Sequence, residues 1–313
     1  MTTSGADVTT LVTAALRRRL DALPVLRDFP WRSTRDPWRI LVAEVCCQQT
    51  QASRAVEAFE RVCSRFAAPS DLAAASLAEI LDAWRGLGYY RRAKSLHEAA
   101  RQIVERHDGQ VPDNLESLLA LPGVGPYTAR AVLAFAFERD VGVVDTNVGR
   151  VLSRAIANRP LSASDAQRLA DSLVGTGRGW AHNQALLDLG ALHCAAAPRC
   201  EGCALRPSCR WRRSGSLAVD PARKSAGVSR PQARFAGSDR EGRGRLLAAA
   251  LDGPVPLRDL ASVAGWESDP VRAGRVATAL CEEGLLQRRG GALSIARSPT
   301  RRRTAGDAES RRT

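Results

Sequence analysis

The chain has 313 residues, 44% of them hydrophobic, enough for a substantial core and for two domains or one large domain with an added module. Its formal charge of +13 suits a polyanionic partner, and all but two of its 46 cationic residues are arginine, the exceptions being Lys94 and Lys224. No apolar run is long enough to cross a bilayer, and the opening MTTSGADVTT lacks the charged and apolar regions of a signal peptide. A cytoplasmic, nucleoid-associated protein is therefore expected. Eight cysteines in such a chain point to metal or redox chemistry, not to structural disulfides.

Residues 1–7 read as disordered. From Val8 to Leu23 apolar residues recur at helical spacing, with the helix ending near Pro24. Asp36 and Pro37 then form a helix start, with Asp36 as N-cap. The helix they open, Trp38–Cys47, places Glu44 among Leu41, Val42, Val45 and Cys46. A carboxylate in that company is either ion-paired at an edge or raised in pKa, so that it can donate a proton near neutrality. Gln48, Gln49 and Thr50 follow, polar and uncharged; they either contact bases or cap the helix.

Two short helices, Asn114–Ala120 and Pro126–Phe137, flank the turn Leu121-Pro122-Gly123-Val124-Gly125. Gly123 and Gly125 can both take positive φ and let the backbone approach another surface. The free N–H groups at the start of the second helix favour an anion there. Asp145 follows the apolar run Val141–Val144 and precedes a further helix, Asn147–Ala157. Taken alone, this stretch reads equally as a turn between two core helices with Asp145 as an N-cap. Helices at Ser164–Leu173 and over 180–193 lead to Cys194, Cys200, Cys203 and Cys209, spaced C-x5-C-x2-C-x5-C. That spacing marks a metal site, and both zinc and a 4Fe–4S cluster accept four thiolates. Arg199, Arg206, Arg210, Arg212 and Arg213 surround it and suit a phosphate backbone. Cys46, Cys47, Cys63 and Cys281 lack metal spacing and read as small hydrophobes.

Residues 214–240 are rich in Arg, Ser, Gly and Pro and read as a linker. Helices at Gly242–Leu251, Leu257–Val263 and Pro270–Glu283, then a hairpin around Gly290-Gly291, suggest a small winged-helix-like domain over 241–296. The tail 297–313 reads as basic and disordered.

LPGVGPYTA at its distance from Val144-Asp145-Thr146-Asn147 resembles the helix–hairpin–helix and Gly/Pro…Asp motif of the endonuclease III superfamily of DNA glycosylases. Phe29-Pro30-Trp31-Arg32, Asp36-Pro37-Trp38, Glu44-Val45, Gln48-Gln49-Thr50-Gln51 and Trp84–Ala93 resemble its A/G-mismatch adenine-specific branch. The resemblance covers residues 8–213 and implies an all-α, two-lobed fold with double-stranded DNA and a flipped base between the lobes. It implies a monomeric enzyme that removes adenine opposite 8-oxoguanine or guanine. Glu44 would protonate the adenine, and Asp145 would stabilise the sugar cation. Gln48 and Gln49 would enter the duplex, Tyr89 and Tyr90 would lie against the strand opposite, and Gly123 and Gly125 would hold a phosphate. Trp31, Arg32 and Gln184 match positions lining the adenine pocket; Gln184 reads almost as well as an ordinary polar residue near a helix start. Tyr127 stands where bifunctional relatives place a Schiff-base lysine, so no strong lyase step is expected. A 4Fe–4S cluster is implied at the four cysteines, whose first gap holds five residues where the family usually has six.

Typical members of that branch end in a Nudix-like domain that checks for 8-oxoguanine, and no such region is legible here. Three rival readings remain: a thymine glycosylase acting on T/G mismatches, a non-catalytic DNA-binding regulator acting through the winged helix, and an apurinic-site nuclease. Gln48-Gln49 and GLGYY favour adenine over thymine. The intact Glu44 and Asp145 argue against the regulator, and the missing lysine against the nuclease.

Overall fold

The computed structural model describes residues 7–215, 219–225, 228 and 234–297. The expected disorder of 1–7 and 297–313 lies outside these apart from Asp7 and Arg297. Fifteen α-helices are described. Eight make up the first part of the chain to the central hairpin: α1 (Ala14–Asp21), α2 (Pro37–Cys47), α3 (Ala52–Arg65), α4 (Pro69–Ala74), α5 (Leu77–Ala83), α6 (Arg91–Arg106), α7 (Leu115–Leu119) and α8 (Pro126–Phe135). They are followed by α9 (Thr146–Val151), α10 (Ala163–Leu173), α11 (Gly179–Leu192) and α12 (Arg210–Arg213). No described helix is long and apolar enough to cross a membrane.

The continuous helix expected over Val8–Leu23 is broken. Asp7 accepts the Thr9 amide and caps a 3-10 turn, Val8–Leu11; Thr13 then accepts the Leu16 amide and starts α1 afresh. Short polar side chains have taken over backbone donors that a through-helix would have used. Asp36 behaves as its position predicts: its carboxylate accepts the Trp38 and Arg39 amides, with Pro37 at the first helical position. The helix from Thr146 runs on beyond Val151 as a π-type stretch over Leu152–Ala157, ending on Asn158 in the left-handed region.

Helix α2 is the central column. Trp38 and the whole run Ile40–Cys46 are buried against α3 and α8, while α4 packs on α6 and α9 on α11. In α8, Ala129 and Ala131–Phe135 are buried too, so two helices apolar on most faces meet at the middle of the molecule. Burial of one such aliphatic side chain contributes about 1.5–3 kcal/mol, and the column is built of many. Its rigidity fixes the carboxylate carried on α2.

The stretch expected as a linker is partly packed. Asp220 forms an ion pair with the buried Arg154 (2.6 Å), and Ser225 Oγ accepts the Leu161 amide (3.1 Å). After it come α13 (Asp239–Asp252), α14 (Leu260–Ala264) and α15 (Pro270–Glu282). Strands β1 (Val255–Pro256), β2 (Leu286–Arg289) and β3 (Ala292–Ile295) pair antiparallel in the order β1-β3-β2. Gly290 and Gly291 both have positive φ between the paired Arg289 and Ala292, the conformation that a two-residue type I′ hairpin demands. This C-terminal module sits against the helical body through Arg85–Asp252 (2.8 Å), Lys94 Nζ to the Glu283 carbonyl (2.7 Å) and Arg240 to the Tyr89 hydroxyl (2.9 Å).

Candidate active site and nucleic-acid interface

Helix α2 ends where the apolar sequence gives way to Gln48-Gln49-Thr50. One guanidinium holds that end. Arg92 of α6 donates to the carbonyls of Val45 (3.0 Å), Cys46 (2.8 Å) and Gln48 (2.5 Å), to Thr50 Oγ1 (3.2 Å), and to the carbonyls of Leu87 and Gly88. A cation at a helix C-terminus meets both the unsatisfied carbonyls and the negative end of the dipole. Arg92 thereby ties the Gln48–Thr50 turn to the Gly-Leu-Gly-Tyr-Tyr loop. Gln48 Nε2 donates to the Gly123 carbonyl (3.1 Å) and Thr128 Oγ1 (3.2 Å), binding the same turn to the central hairpin. Gln49 stands at φ 54°, a cost that the surrounding ties hold in place.

Beside this turn lies a cleft of about 1020 Å³ whose walls include Trp31, Arg32, Glu44, Gln48, Gln49, Tyr127, Asp145 and Gln184. Glu44 is 7% exposed and its Oε2 is buried without a hydrogen-bond partner. Burial first, and the neighbouring Asp145 charge after it, push its carboxyl up to about 7, while the Tyr127 hydroxyl and Arg32 pull the other way. The paired expectation of an edge-exposed, salt-bridged Glu44 is thus set aside: Glu44 forms no ion pair among the described residues. Burial, with Glu44 and Asp145 nearby, pushes the Tyr127 hydroxyl well above its ordinary value, so it stays protonated.

Asp145 caps α9: Oδ1 accepts the Val148 amide (2.7 Å) and Oδ2 accepts Asn147 Nδ2 (2.6 Å). Burial pushes this carboxyl up, and the Val148 and Asn147 donors oppose the rise. Asn147 Oδ1 in turn accepts from Arg150 (2.6 Å), and Arg150 Nε donates to the Cys194 carbonyl (2.7 Å). A continuous run of hydrogen bonds therefore joins Asp145 to the first cysteine.

Trp31 stacks on Phe29 (5.0 Å, 6°) and meets Phe59 edge-on (5.3 Å). Arg32 pairs with Asp188 on both its terminal nitrogens (3.0 and 2.8 Å), and Arg27 joins the same carboxylate (2.6 Å). Those guanidiniums and the Leu26 and Arg27 amides overcome burial and hold the Asp188 carboxyl down at about 2. Gln184 is buried at 4% exposure on the face of α11 that lines the cleft.

The hairpin glycines differ. Gly123 takes φ 77°, and a Cβ there would lie 2.7 Å from Ser95 Cβ. Gly125 is extended at φ −94° as the cap of α8, so of the two only Gly123 uses the positive φ open to glycine. A Cβ at Gly125 would meet nothing within 4 Å, leaving its backbone open to an outside partner. Tyr89 and Tyr90 do not reach the carboxylate cleft. They line a second cleft on the far side of the Gln48–Gln51 turn, and Tyr89 itself stands at φ 48°.

Cys194, Cys200, Cys203 and Cys209 wall one small cavity with Val151, Leu189, Leu205 and Trp211, and none is in a disulfide. Arg154 donates to Cys194 Sγ (3.5 Å) and to the carbonyls of Cys194, Ala195 and Ala196, and stacks on Trp211. No set of three or more such side chains among the described residues converges on a single ion. Four thiols around one apolar cavity, with a cationic donor on one sulfur, are a donor set that suits a thiolate-held metal group.

Sequence reasoning did not single out Arg92, Asn147, Arg150 or Asp188. Asp188 carried the same signal as Glu44, a carboxylate inside an apolar helix. Arg92 carried none, since its role depends on a contact with a turn more than forty positions away.

A model of the HhH-GPD superfamily of base excision DNA repair proteins matches residues 42–175. An adenine DNA glycosylase of Mycolicibacterium smegmatis is 41% identical over 266 residues, 83% of this chain and 88% of that one. The human adenine DNA glycosylase is 39% identical over 219 residues, covering 62% of this chain and 40% of its own length. Among solved structures, a thermostable thymine-DNA glycosylase superposes with a TM-score of 0.58 at 29% identity, covering 66% of this chain and 97% of that one.

Proposed function

The chain belongs to the HhH-GPD superfamily of base excision DNA repair proteins, among the adenine DNA glycosylases, and on that footing we propose that its carboxylate cleft hydrolyses the N-glycosidic bond of adenine mispaired with 8-oxoguanine or guanine. The observation that carries the reading is the pair of unlike carboxyls in one cleft. Glu44 is held near 7 by burial, and Asp145 is supplied with amide donors.

A base stacked in a duplex is out of reach of such a cleft, so the nucleotide is extruded into it while Gln48 and Gln49 face the gap left behind. The Glu44 proton passes to a ring nitrogen of the purine as the C1′–N9 bond breaks, and the bond's electron pair leaves with the base. Asp145 stabilises the positive charge that builds on the sugar. Water then adds its oxygen to C1′ and passes a proton to the Glu44 carboxylate, which restores the acid. This division between an acid and a stabilising carboxylate parallels glycoside hydrolysis. Trp31 and Arg32 wall the purine pocket, with Arg32 held in place by Asp188.

Tyr127 replaces the amine that a Schiff-base route needs, and neither Lys94 nor Lys224 lines the cleft. The enzyme is monofunctional on this account. The four cysteines would hold a 4Fe–4S cluster, whose contribution is to fix the basic loop for phosphate contact. Arg150 and Arg154 of this chain anchor that loop to the helix bearing Asp145.

Borohydride reduction during turnover tests the lyase side: no covalent protein–DNA adduct is expected, and trapping in an N-terminally blocked protein would refute it. Glu44→Gln tests the acid. Base release should fall at least about a hundredfold while mismatch binding persists; an unchanged single-turnover rate would refute the assignment.

A further inference from the structure

Gln184 stands on α11 at 4% exposure, walls the carboxylate cleft and makes no side-chain hydrogen bond among the described residues. Its neighbour Asn183 is as deeply buried but has its amide fully engaged. Asn183 Oδ1 accepts the Val143 amide (2.8 Å), and Nδ2 donates to the carbonyls of Val141 (2.9 Å) and Gly179 (2.7 Å). Those bonds fix Asn183 in one orientation. The Gln184 amide has no such ties and turns either its oxygen or its nitrogen toward a base in the cleft. We propose that the cleft therefore has a second substrate, hypoxanthine, whose N-glycosidic bond it hydrolyses as it does that of adenine. The inference rests on the base-releasing reading above.

The two bases present opposite edges. Adenine donates from its exocyclic amine and accepts at N1. Hypoxanthine, formed when water replaces that amine by oxygen, accepts at O6 and donates from N1. A guanidinium or an ionised carboxylate offers one sense only. A carboxamide carries a donor and an acceptor side by side, and meets either edge after a half-turn. The arginine wall of the cleft suits the oxo form. Arg27 and Arg32 share one carboxylate, Asp188, so two positive charges stand against one negative. Arg27 is bonded to it through Nε, and its terminal nitrogens make no hydrogen bond among the described residues. Such donors attract a carbonyl oxygen and repel an amine.

The reaction itself is the same for both bases. The Glu44 proton passes to the free nitrogen of the imidazole ring, which adenine and hypoxanthine share. The C1′–N9 bond breaks with its electron pair leaving on the base, and water supplies oxygen to C1′ and a proton to the Glu44 carboxylate. Free hypoxanthine and the abasic sugar are the products, and water is the only other reactant. The 6-oxo group withdraws electron density, so this base departs at least as readily as adenine. Discrimination falls to the groups that meet the six-membered ring, where an amide free to turn discriminates weakly. Thymine has no imidazole ring to protonate, so the range stops at purines.

The experiment measures single-turnover release from duplexes carrying adenine or hypoxanthine opposite the same 8-oxoguanine or guanine, with the full-length protein and the freed base identified by chromatography. Hypoxanthine should be released within about a hundredfold of the adenine rate, because a site that rejected its edge would separate the two by about ten-thousandfold or more. Release slower than that hundredfold limit, with adenine release intact, would overturn the inference and leave the glycosylase reading standing. Absence of both releases would overturn that reading and this inference with it. Glu44→Gln should lose both activities; hypoxanthine release surviving in it would place the activity outside the cleft and refute the proposal. Gln184→Glu at pH 8, its fold checked by thermal melting, replaces the amide by a group that only accepts. The ratio of adenine to hypoxanthine rates should rise about tenfold or more, and an unchanged ratio would refute the role given to Gln184. Should that variant fail to fold, the wild-type rates alone decide.

Discussion

At the residue scale the account turns on Glu44. A carboxyl held at about 7 still carries its proton in most molecules at pH 6. Single-turnover adenine release should therefore be level below that pH and fall about tenfold per unit well above 7. Stability moves with the same group. An acid whose value rises from 4.5 unfolded to about 7 folded binds its proton more readily in the folded state. Its favourable contribution is complete below 4.5 and lost as pH rises through 7. Glu44→Gln, which keeps the shape and drops the charge, should be inactive yet more stable than wild type at pH 8, by up to about 3 kcal/mol, and no more stable at pH 4. Denaturant midpoints at the two pH values check this, and a destabilised Glu44→Gln at pH 8 would contradict it. Asp188 behaves in the opposite sense. Its side chain is fully buried between Arg27 and Arg32, so Asp188→Asn should cost about 3–5 kcal/mol and loosen the pocket wall that Arg32 forms.

At the scale of elements, the hairpin and helix α2 were legible because their signals are local. Asp36-Pro37 marks a helix start whatever lies elsewhere, and Pro126 opens α8 just after the glycines. The limits of that legibility are equally physical. Gly123 and Gly125 look alike in sequence, yet only Gly123 takes positive φ, and Ser95 of α6 also leaves no room for a Cβ there. Gly123→Ala should therefore lower the melting temperature, as both strain and overlap with Ser95 appear. Gly125→Ala should leave stability nearly unchanged and weaken DNA binding, where a methyl group meets a phosphate. Binding isotherms and melts on the two variants separate these effects; equal melting temperatures would contradict the difference. The break at Val12 and Thr13 escaped periodicity because the apolar spacing runs straight through it. Hydrogen-bond competition, not hydrophobic pattern, decided that boundary.

At the scale of the whole molecule, long-range ties that no window of sequence shows assemble the site: Arg92 across the α2 terminus, Arg154 across the cysteine loop, and Lys94 across to the C-terminal module. Two buried histidines give the molecule its acid sensitivity. Burial holds His97 and His182 down at about 4, and His97 Nε2 and both ring nitrogens of His182 lie in the interior without a hydrogen-bond partner. A base with a depressed folded value destabilises as pH falls from 6.5 toward 4, because only the unfolded chain takes up the proton. Between pH 7 and 5 each histidine should cost about 2 kcal/mol, partly offset by Glu44, whose contribution grows over the same interval. His182→Phe should flatten the pH dependence of stability, and Glu44→Gln should steepen it. The single measurement closest to the central claim is single-turnover base release from duplexes bearing adenine opposite 8-oxoguanine, adenine opposite guanine, and thymine opposite guanine, followed by alkali cleavage. The account predicts cutting of the adenine strand, with none at thymine, and its loss in Glu44→Gln. Cutting confined to the thymine duplex, or binding of all three without release, would contradict it.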